Sequence, residues 1–522
     1  MKTKSISGAL IAAIMSASMM LVGCAGDDIG GGPAEKANAV QEAEQPQDGG
    51  KATAETIAEN VSGETFDNSE DGGHAIEVDG QERSYSNATV TKTGEADGDE
   101  ADFYGENSAV FATNGAKLTL SNMNITTNGT HANAVFSYGE GTVVDISNST
   151  IDTSGNCSGG IMTTGGGTTN ASNLTIHTSG NSSAAIRSDR GGGVVTVNGG
   201  NYTTEGKGSP AIYSTADITV SDAALASTSS QGVVVEGKNS VTLNNVVLNA
   251  SNTSKNSDKS EYYQAVMIYQ SMSGDADTGL ARFAANGGNI SNTNGDIFFV
   301  NNTATDITLS GVDIVNNGGG VFLRAAAAGW GREGENGGKV NLTASAQKID
   351  GDMLVDDISI LNLYLKDGSM FTGAINPDDA SGDVYVELTD GSKWTLTADS
   401  NIKSLTCDAD SIDLNGHTLT VDGKTYATGS KSTGDAIEIK ISEGGGADMA
   451  PPDGKGKPDM EDEARGDGQM QPPSEGERPE RPDGEPPAKP DGEPLSKPDG
   501  EPPEKPDGMG APPDGNPPAK PD

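Results

Sequence analysis

Three stretches with one shared pattern decide the fold: LTLSNMNIT at residues 118–126, VDISNSTID at 144–152 and TNASNLTIH at 169–177. In each stretch a short strand pattern meets a second one across a corner. The corner recurs along the chain and is always Asn, Asp or Gly: Asn87, Asn122, Asn148, Asn173, Gly199, Asp222, Asn245, Gly287 and Gly311. These residue types adopt the left-handed αL backbone conformation at the least cost. The pattern therefore predicts one αL bend in every repeat.

A second column of residues, upstream of the corners, sets the repeat length. Its members are Val110, Val135, Ile161, Ile186, Ile212 and Val233, separated by 25, 26, 25, 26 and 21 residues. Each repeat thus holds about three short strand patterns, which indicates a parallel β-solenoid whose coils pair with one another. The hydrophobic content of 33% is low for a globular chain. It fits an all-β, single-stranded parallel β-helix of about twelve coils, whose core is a thin stack of aliphatic columns.

The N-terminus resembles the signal of an exported lipoprotein. Lys2 and Lys4 precede a short apolar run, and the sequence LVGC at 21–24 is similar to a bacterial lipobox, in which Cys24 is lipidated. The run is too short for a stable membrane span. We expect a signal peptide at 1–23, a flexible leash at 24–60, a β-helix with terminal caps at 61–442, and a disordered tail at 443–522.

The tail and the overall charge exclude some classes of function. From Asp448 onward the chain holds 20 acidic and 9 basic residues, and an eight-residue Pro-Asp-Gly unit repeats from Arg481. Proline at this density cannot join a sheet or a helix interior. The formal net charge of −43 makes a nucleic-acid partner unexpected, because phosphate backbones are met by clustered Lys and Arg. The composition also excludes a multi-pass membrane protein.

Two cysteines follow the lipobox. Cys157 lies in an early coil and Cys407 near the last one, which places them about 40 Å apart along the solenoid axis. A disulfide needs Cα atoms within about 7 Å of each other. We therefore expect both thiols to be free and mostly buried.

The αL corner, the coil of about 25 residues and the three short strands resemble the right-handed parallel β-helix of the pectate-lyase-like superfamily. The resemblance covers about residues 75–440. Together with the lipobox and the tail, it is similar to bacterial surface lipoproteins of the carbohydrate-binding or adhesin-like kind. The superfamily includes lyases, hydrolases, binding proteins and adhesins, so the resemblance implies a fold and leaves the function open.

The strand that holds the aliphatic column also defines a candidate binding face. If that column points inward, its neighbours point outward, because side chains alternate along a strand. The outward residues proposed to contact a polysaccharide are Phe111, Phe136, Tyr138, Arg187, Asp189, Tyr213 and Glu236. The alternative register makes Phe111 and Phe136 core residues and exposes the aliphatic column. Arg187 favours the first register, because an unpaired Arg is a poor core residue.

Insertions and acidic clusters supply further candidates. A Gly-rich insertion at 324–338 holds Arg324, Trp330 and Arg332, and we expect an exposed Trp flanked by Arg to contact an acidic sugar. Calcium is an optional cofactor, because it binds oxygen ligands of the kind that carboxylates supply. The candidate ligands are Asp97, Asp99 and Asp102. The four His residues are scattered and suggest no metal site. An acidic surface is the simpler explanation of these carboxylates.

The functional prediction is a cell-surface, lipid-anchored, extracytoplasmic lipoprotein, most simply a monomer. Its β-helix would bind a polysaccharide, with calcium assisting an acidic glycan, or act as an adhesin, and it would not be catalytic. The alternative is a polysaccharide lyase or glycoside hydrolase acting on a uronic-acid polymer. A hydrolase needs two carboxylates about 5–10 Å apart, and Asp189 and Glu236, two coils apart, can match this spacing by coincidence.

Overall fold

The computed structural model describes residues 59–441 except 256, 258 and 379–381. Its single helix in this range, α1, covers Asp99–Phe103. The strands in chain order are β1 Glu59–Ser62, β2 Thr65–Asn68, β3 Ile76–Asp79, β4 Glu82–Ser86, β5 Thr89–Lys92, β6 Val110–Thr113, β7 Lys117–Ser121, β8 Asn124–Thr127, β9 Val135–Tyr138, β10 Val143–Ser147, β11 Thr150–Thr153, β12 Ile161–Thr164, β13 Gly167–Thr178, β14 Ile186–Ser188, β15 Gly193–Thr204, β16 Ile212–Ser214, β17 Asp217–Ser221, β18 Ala224–Ser227, β19 Val233–Glu236, β20 Ser240–Asn244, β21 Val247–Ala250, β22 Gln264–Tyr269, β23 Leu280–Asn286, β24 Asn289–Asn292, β25 Asp296–Asn301, β26 Ala304–Ser310, β27 Asp313–Asn316, β28 Leu323–Ala325, β29 Lys339–Ser345, β30 Lys348–Asp350, β31 Met353–Val355, β32 Ile360–Lys366, β33 Met370–Thr372, β34 Asp383–Leu388, β35 Lys393–Thr395, β36 Ser400–Ile402, β37 Ser404–Thr406, β38 Ile412–Asp413, β39 Leu419–Val421 and β40 Lys424–Thr425.

These strands form a parallel β-solenoid, which confirms the predicted fold class. An eleven-stranded parallel sheet, here called the front sheet, takes one strand from each coil: β3, β6, β9, β12, β14, β16, β19, β22, β25, β28 and β31. The predicted column is in register along it, with Val110 opposite Val135, and Val135 opposite Ile161. The same register continues from Ile186 to Ile212 and on to Val233.

The second large sheet, here called the back sheet, contributes two legs to most coils. One leg runs through β4, β7 and β10, and the other runs through β5, β8 and β11. The two legs meet at the predicted corners, where every backbone φ is positive: Asn87 53°, Asn122 53°, Asn148 49°, Asn173 51°, Gly199 73°, Asp222 53°, Asn245 52°, Gly287 61° and Gly311 59°. The predicted αL bend is therefore present in each of these coils.

The corner side chains also bond to each other along the axis. The Asn122 side-chain amide donates to Asn87 at 3.2 Å, and the Asn173 amide donates to Asn148 at 2.9 Å. Asn245 donates to Asp222 at 2.7 Å in the same way. Repetition of one residue type in consecutive coils therefore satisfies side-chain polar groups as well as the backbone conformation.

The hydrophobic core runs between the two sheets and decides the register question. All six predicted column residues are at most 1% exposed, and all belong to the main core cluster. Farther along, Phe283, Phe298 and Phe322 continue the core with successive ring centroids 5.6 Å apart. This burial confirms the inward register. Burying one aliphatic side chain contributes about 1.5–3 kcal/mol, and the contribution is repeated in every coil.

Tight turns and a hairpin close the C-terminal end. Asp367-Gly368, Asp390-Gly391, Asn415-Gly416 and Asp422-Gly423 all have positive φ at both positions. This is the conformation that such pairs favour in turns. Strands β39 and β40 pair antiparallel, with Thr420 opposite Thr425. Beyond them, the Ile437 backbone exchanges two hydrogen bonds of 2.9 Å with the side-chain amide of Asn362 on the back sheet.

The cysteine prediction holds in part. Cys407 is free and buried, as expected. Cys157 is also buried, but it is disulfide-bonded, so the prediction of a free thiol is wrong at this position. Cys157 and Cys407 are not bonded to each other, as their separation along the axis predicts. The signal peptide, Cys24, nearly all of the leash, and the tail lie outside the described residues. Within the described part of the chain, no helix has the length and apolarity needed to cross a membrane.

Candidate functional site

The outward side of the front sheet bears the predicted residues, but they are covered. Phe111 is 9% exposed and Phe136 is fully buried, and with Met162 they form an apolar cluster separate from the main core. Their side chains point outward as predicted, because their neighbours Val110 and Val135 face the core. The expectation of an open aromatic face is nevertheless wrong here, because segments inserted between coils pack on the rings.

The first cover is the segment that contains α1. The Thr164 hydroxyl donates to the Phe103 carbonyl at 2.7 Å, which ties the helix to strand β12. Gly105 has φ +90°, and a methyl group at its Cα would overlap the Phe111 ring, so only glycine allows this close approach. Tyr138 lies at the edge of the cover, half-buried, with its ring centroid 5.7 Å from that of Tyr104.

The second cover comes from the later insertions. Trp330 is only 6% exposed and packs on Tyr269, with ring centroids 5.1 Å apart, so the expectation of an exposed Trp is wrong. The Arg324 guanidinium lies 4.3 Å above the Tyr262 ring, and its Nε donates to Asp296 at 2.6 Å. Trp330 therefore holds its insertion on the sheet, whereas Arg324, in β28, contacts the segment that precedes β22.

Arg332 is the exception among the predicted residues of this insertion. Its side chain is 74% exposed, and its nearest ionic partner is Glu335 at 3.4 Å. Such surface ion pairs contribute little to stability. Arg332 is therefore accessible to a ligand.

Between the two covers lies a group of charged and polar residues, here called the front site: Arg187, Asp189, Arg190, Tyr213, Glu236 and Asp275. The Arg187 Nη2 atom donates to Asp189 at 2.8 Å, and their side chains are 14% and 4% exposed. Burial raises the pKa of Asp189 to about 7, against the opposing effect of the Arg187 charge, and the nearby Asp275 and Glu236 carboxylates raise it further. Asp189 can therefore change protonation state near neutral pH.

Glu236 is enclosed by hydroxyl donors. The Tyr269 hydroxyl donates to its Oε2 atom at 2.9 Å, Tyr213 donates to the same oxygen, and the Ser271 hydroxyl donates to Oε1. Burial raises the pKa of Glu236, and these donors oppose the rise. Burial, and then the charge of Glu236, also raise the pKa of both Tyr213 and Tyr269. The tyrosines thus stay protonated and donate to the carboxylate.

Arg190 connects the two covers above this group. Its Nε atom donates to Asp275 at 2.7 Å, and its Nη1 atom donates to Asp99 at 2.9 Å. The guanidinium carbon lies 3.8 Å from the centroid of the Phe103 ring, in α1. The Arg190 side chain is 34% exposed, so it forms the outer boundary of the front site.

The predicted calcium ligands are paired with other side chains of the protein and not grouped with one another. Asp102 lies 2.9 Å from His131, Asp97 lies 3.7 Å from the same ring, and Asp99 pairs with Arg190. Throughout the described ranges, the one group of three potential metal ligands within 4.8 Å is Asp102, His131 and Cys157. Because Cys157 is disulfide-bonded, its sulfur is not an available thiolate. The three aspartates do not form the expected ligand set.

Sequence reasoning found the front sheet but missed several residues of the site. Ser271 and Asp275 lie in the loop after β22, and Tyr269 is the last residue of that strand; no sequence pattern singled out these three residues. Arg190 follows Asp189 directly, and a second Arg in one turn of an acidic chain was a usable signal. The pairing of Arg190 with Asp99 and Asp275 was not visible, because 91 and 85 residues separate them in the chain.

The fold and the site define a parallel β-helix with a covered, charged site on its front sheet. No family model and no curated protein sequence matches the chain.

Proposed function

We propose that this chain is a lipid-anchored, extracytoplasmic β-helix that binds polysaccharide without transforming it. The single observation that carries the proposal is that charged and aromatic side chains and the long insertions are concentrated on one sheet. The front sheet brings Arg187, Tyr213 and Glu236 to one side, and the long insertions fold over that same side. A rigid scaffold with loops on one face is a frequent arrangement of binding sites. Membership of the pectate-lyase-like superfamily is part of this proposal and rests on the resemblance of the coils.

Arg187 and Tyr213 are the central contacts in this proposal. They are opposite each other in adjacent coils, so a guanidinium and a phenol ring lie side by side about 4.8 Å apart. A planar cation and an aromatic ring are groups that orient sugar hydroxyls and stack on sugar faces. A ligand that reaches them displaces part of the cover, because Arg187 is only 14% exposed.

The test is glycan-array and affinity-gel binding of the mature chain, with and without Ca²⁺. We expect retention on at least one polysaccharide and loss of retention in Arg187→Gln. The matched control is Arg282→Gln, which changes an exposed Arg on the back sheet. Absence of any ligand, or equal losses in both variants, would overturn the proposal.

The lipid anchor is tested separately. We expect cells expressing the full chain to incorporate labelled palmitate, to hold the protein in the membrane fraction, and to lose both properties in Cys24→Ser. Lipidation converts the Cys24 sulfur to a thioether and would exclude a disulfide between Cys24 and Cys157. Peptide maps of the mature protein distinguish these two outcomes. Unlabelled wild-type protein would refute the anchor without affecting polysaccharide binding.

One observation favours a glycoside hydrolase as the second candidate. Asp189, whose pKa is raised to about 7, and Glu236 lie two coils apart, so their strands are separated by about 9.6 Å and their side chains can bring the carboxyl groups closer. Inverting hydrolases place their carboxyl groups about 6.5–9.5 Å apart. Release of reducing ends that is lost in Glu236→Gln would support this candidate. Unsaturated products would instead indicate a lyase.

A further inference from the structure

Carboxyl groups are the most numerous ionisable groups around the front site. The carboxyl groups belong to Asp99, Asp102, Asp189, Glu236 and Asp275, and the permanent cations to Arg187 and Arg190. Asp102 also contacts His131 at 2.9 Å, so a third group there is cationic only when protonated. The carboxyl groups outnumber the guanidinium groups by five to two. Such an arrangement attracts cations and repels anions.

An unpaired hydroxyl lies among these carboxyl groups. Arg187 is opposite Tyr213, and Tyr213 is opposite Val234, so Thr215 follows between the levels of Asp189 and Glu236. The Thr215 side chain is 2% exposed, and its Oγ1 atom has no hydrogen-bond partner among the described residues. A buried hydroxyl without a partner costs free energy, and a polar ligand group beside it would remove that cost.

The chain already places one of its own cations in this environment. The Arg190 guanidinium bonds to Asp275 and Asp99 and lies on the face of the Phe103 ring. Two carboxylates and one aromatic face are also the groups that hold an organic ammonium ion. Because Arg190 is 34% exposed, a ligand cation can compete with it at the outer boundary of the site.

We propose that the front site binds a sugar that carries a protonated amine, that is, an unacetylated amino-sugar unit. The ammonium group replaces the Arg190 guanidinium between Asp99 and Asp275, and a sugar hydroxyl bonds to Thr215. The inference rests on the proposed polysaccharide binding and names the class of sugar. It departs from the expectation of an acidic glycan, because a uronate carboxylate would face the excess of carboxyl groups around the site.

The first test is calorimetric titration of the full mature chain with a glucosamine oligomer. Its matched comparison ligands are the N-acetylated oligomer and an oligogalacturonate of equal length. We expect binding of the glucosamine oligomer only, and about tenfold weaker binding in Asp275→Asn, as for loss of a hydrogen bond to a charged group. Asp99→Asn serves as a second variant that should fold normally, because the Asp99 side chain is 69% exposed.

The second test is the variant Arg190→Gln, with Arg282→Gln as its control. Removing the competing guanidinium should strengthen binding of the glucosamine oligomer by about tenfold, while the control should leave it unchanged. Weaker or unchanged binding in Arg190→Gln would overturn the inference. Displacement of the oligomer by Ca²⁺ alone would also overturn it, since it would indicate a metal site.

The two proposals fail in distinguishable ways. Equal binding of the acetylated oligomer or of the oligogalacturonate overturns the amino-sugar inference and leaves polysaccharide binding intact. If no glycan binds the wild-type chain, both proposals fall.

Discussion

Arg190 and Asp275 lie 85 positions apart in the chain, yet the Nε atom of Arg190 donates to Asp275 at 2.7 Å. The same guanidinium reaches Asp99 at 2.9 Å, 91 positions away in the other direction. One side chain thus connects two covers that insert between different coils. The covers in turn bury Asp189 and Glu236.

The first prediction concerns this connection. In Arg190→Gln, amide hydrogens of residues 99–104 and 271–277 should exchange faster, while the front-sheet amides beneath them stay protected. Because Arg190 is partly exposed, we expect the free energy of unfolding to fall by only about 1 kcal/mol. Hydrogen-exchange mass spectrometry measures both effects. If exchange in these segments matches that of Arg282→Gln, Arg190 does not hold the covers.

The second prediction is a pH dependence that arises from Asp189. Its pKa is about 7 in the folded protein and near 3.8 in an ordinary environment. The folded state therefore holds a proton that the unfolded chain releases, so the contribution of Asp189 to stability is largest below about pH 4 and is lost as pH rises through about 7. Asp189→Asn should be more stable than wild type above pH 7, by at most about 4 kcal/mol.

Urea unfolding of wild type and Asp189→Asn across this pH range measures the difference. The variant's advantage should shrink as the pH falls and Asp189 in the wild type becomes protonated. Asp145→Asn, which changes an exposed carboxylate on the back sheet, provides the control. An advantage that stays constant with pH would contradict the raised pKa.

The third prediction concerns the corner at Ala346, where φ is +48° and the side chain is exposed. Alanine pays about 1–2 kcal/mol in the αL conformation, and glycine avoids this cost but loses more backbone entropy on folding. Ala346→Gly should therefore raise the free energy of unfolding by about 0.5–1 kcal/mol. Ala344→Gly, at a buried position of the preceding strand β29, should lower it. A destabilised Ala346→Gly would contradict the αL assignment.

The fourth prediction compares two valines of one coil. Val241 is fully buried between Ile218 and Phe283 in the register, whereas Val247 is 44% exposed. Val241→Ala should cost about 2 kcal/mol, since it removes buried methyl groups and leaves a cavity. Val247→Ala should change stability by less than about 0.5 kcal/mol. Equal effects in thermal unfolding would mean that the register is wrong.

Much of the fold could be predicted because its determinants are local. The preference of Asn, Asp and Gly for αL belongs to single residues, and the corners from Asn87 to Gly311 all adopt it. Alternation along a strand is equally local, so the inward column from Val110 to Val233 could be identified from its spacing. Repetition reinforced both signals, because each coil carries the same pattern again.

The site was less predictable because its properties depend on segments that are distant in the sequence. The amino-acid sequence by itself determined the coil period, the αL corners and which side chains of the front sheet point outward. Only the tertiary structure decided that Phe136 and Trp330 are buried, that Arg190 joins Asp99 to Asp275, and that Asp189 titrates near neutral pH. The physical reason is that burial, and the pKa shifts it causes, are set by what folds over a residue. No local pattern specifies where an insertion will come to rest.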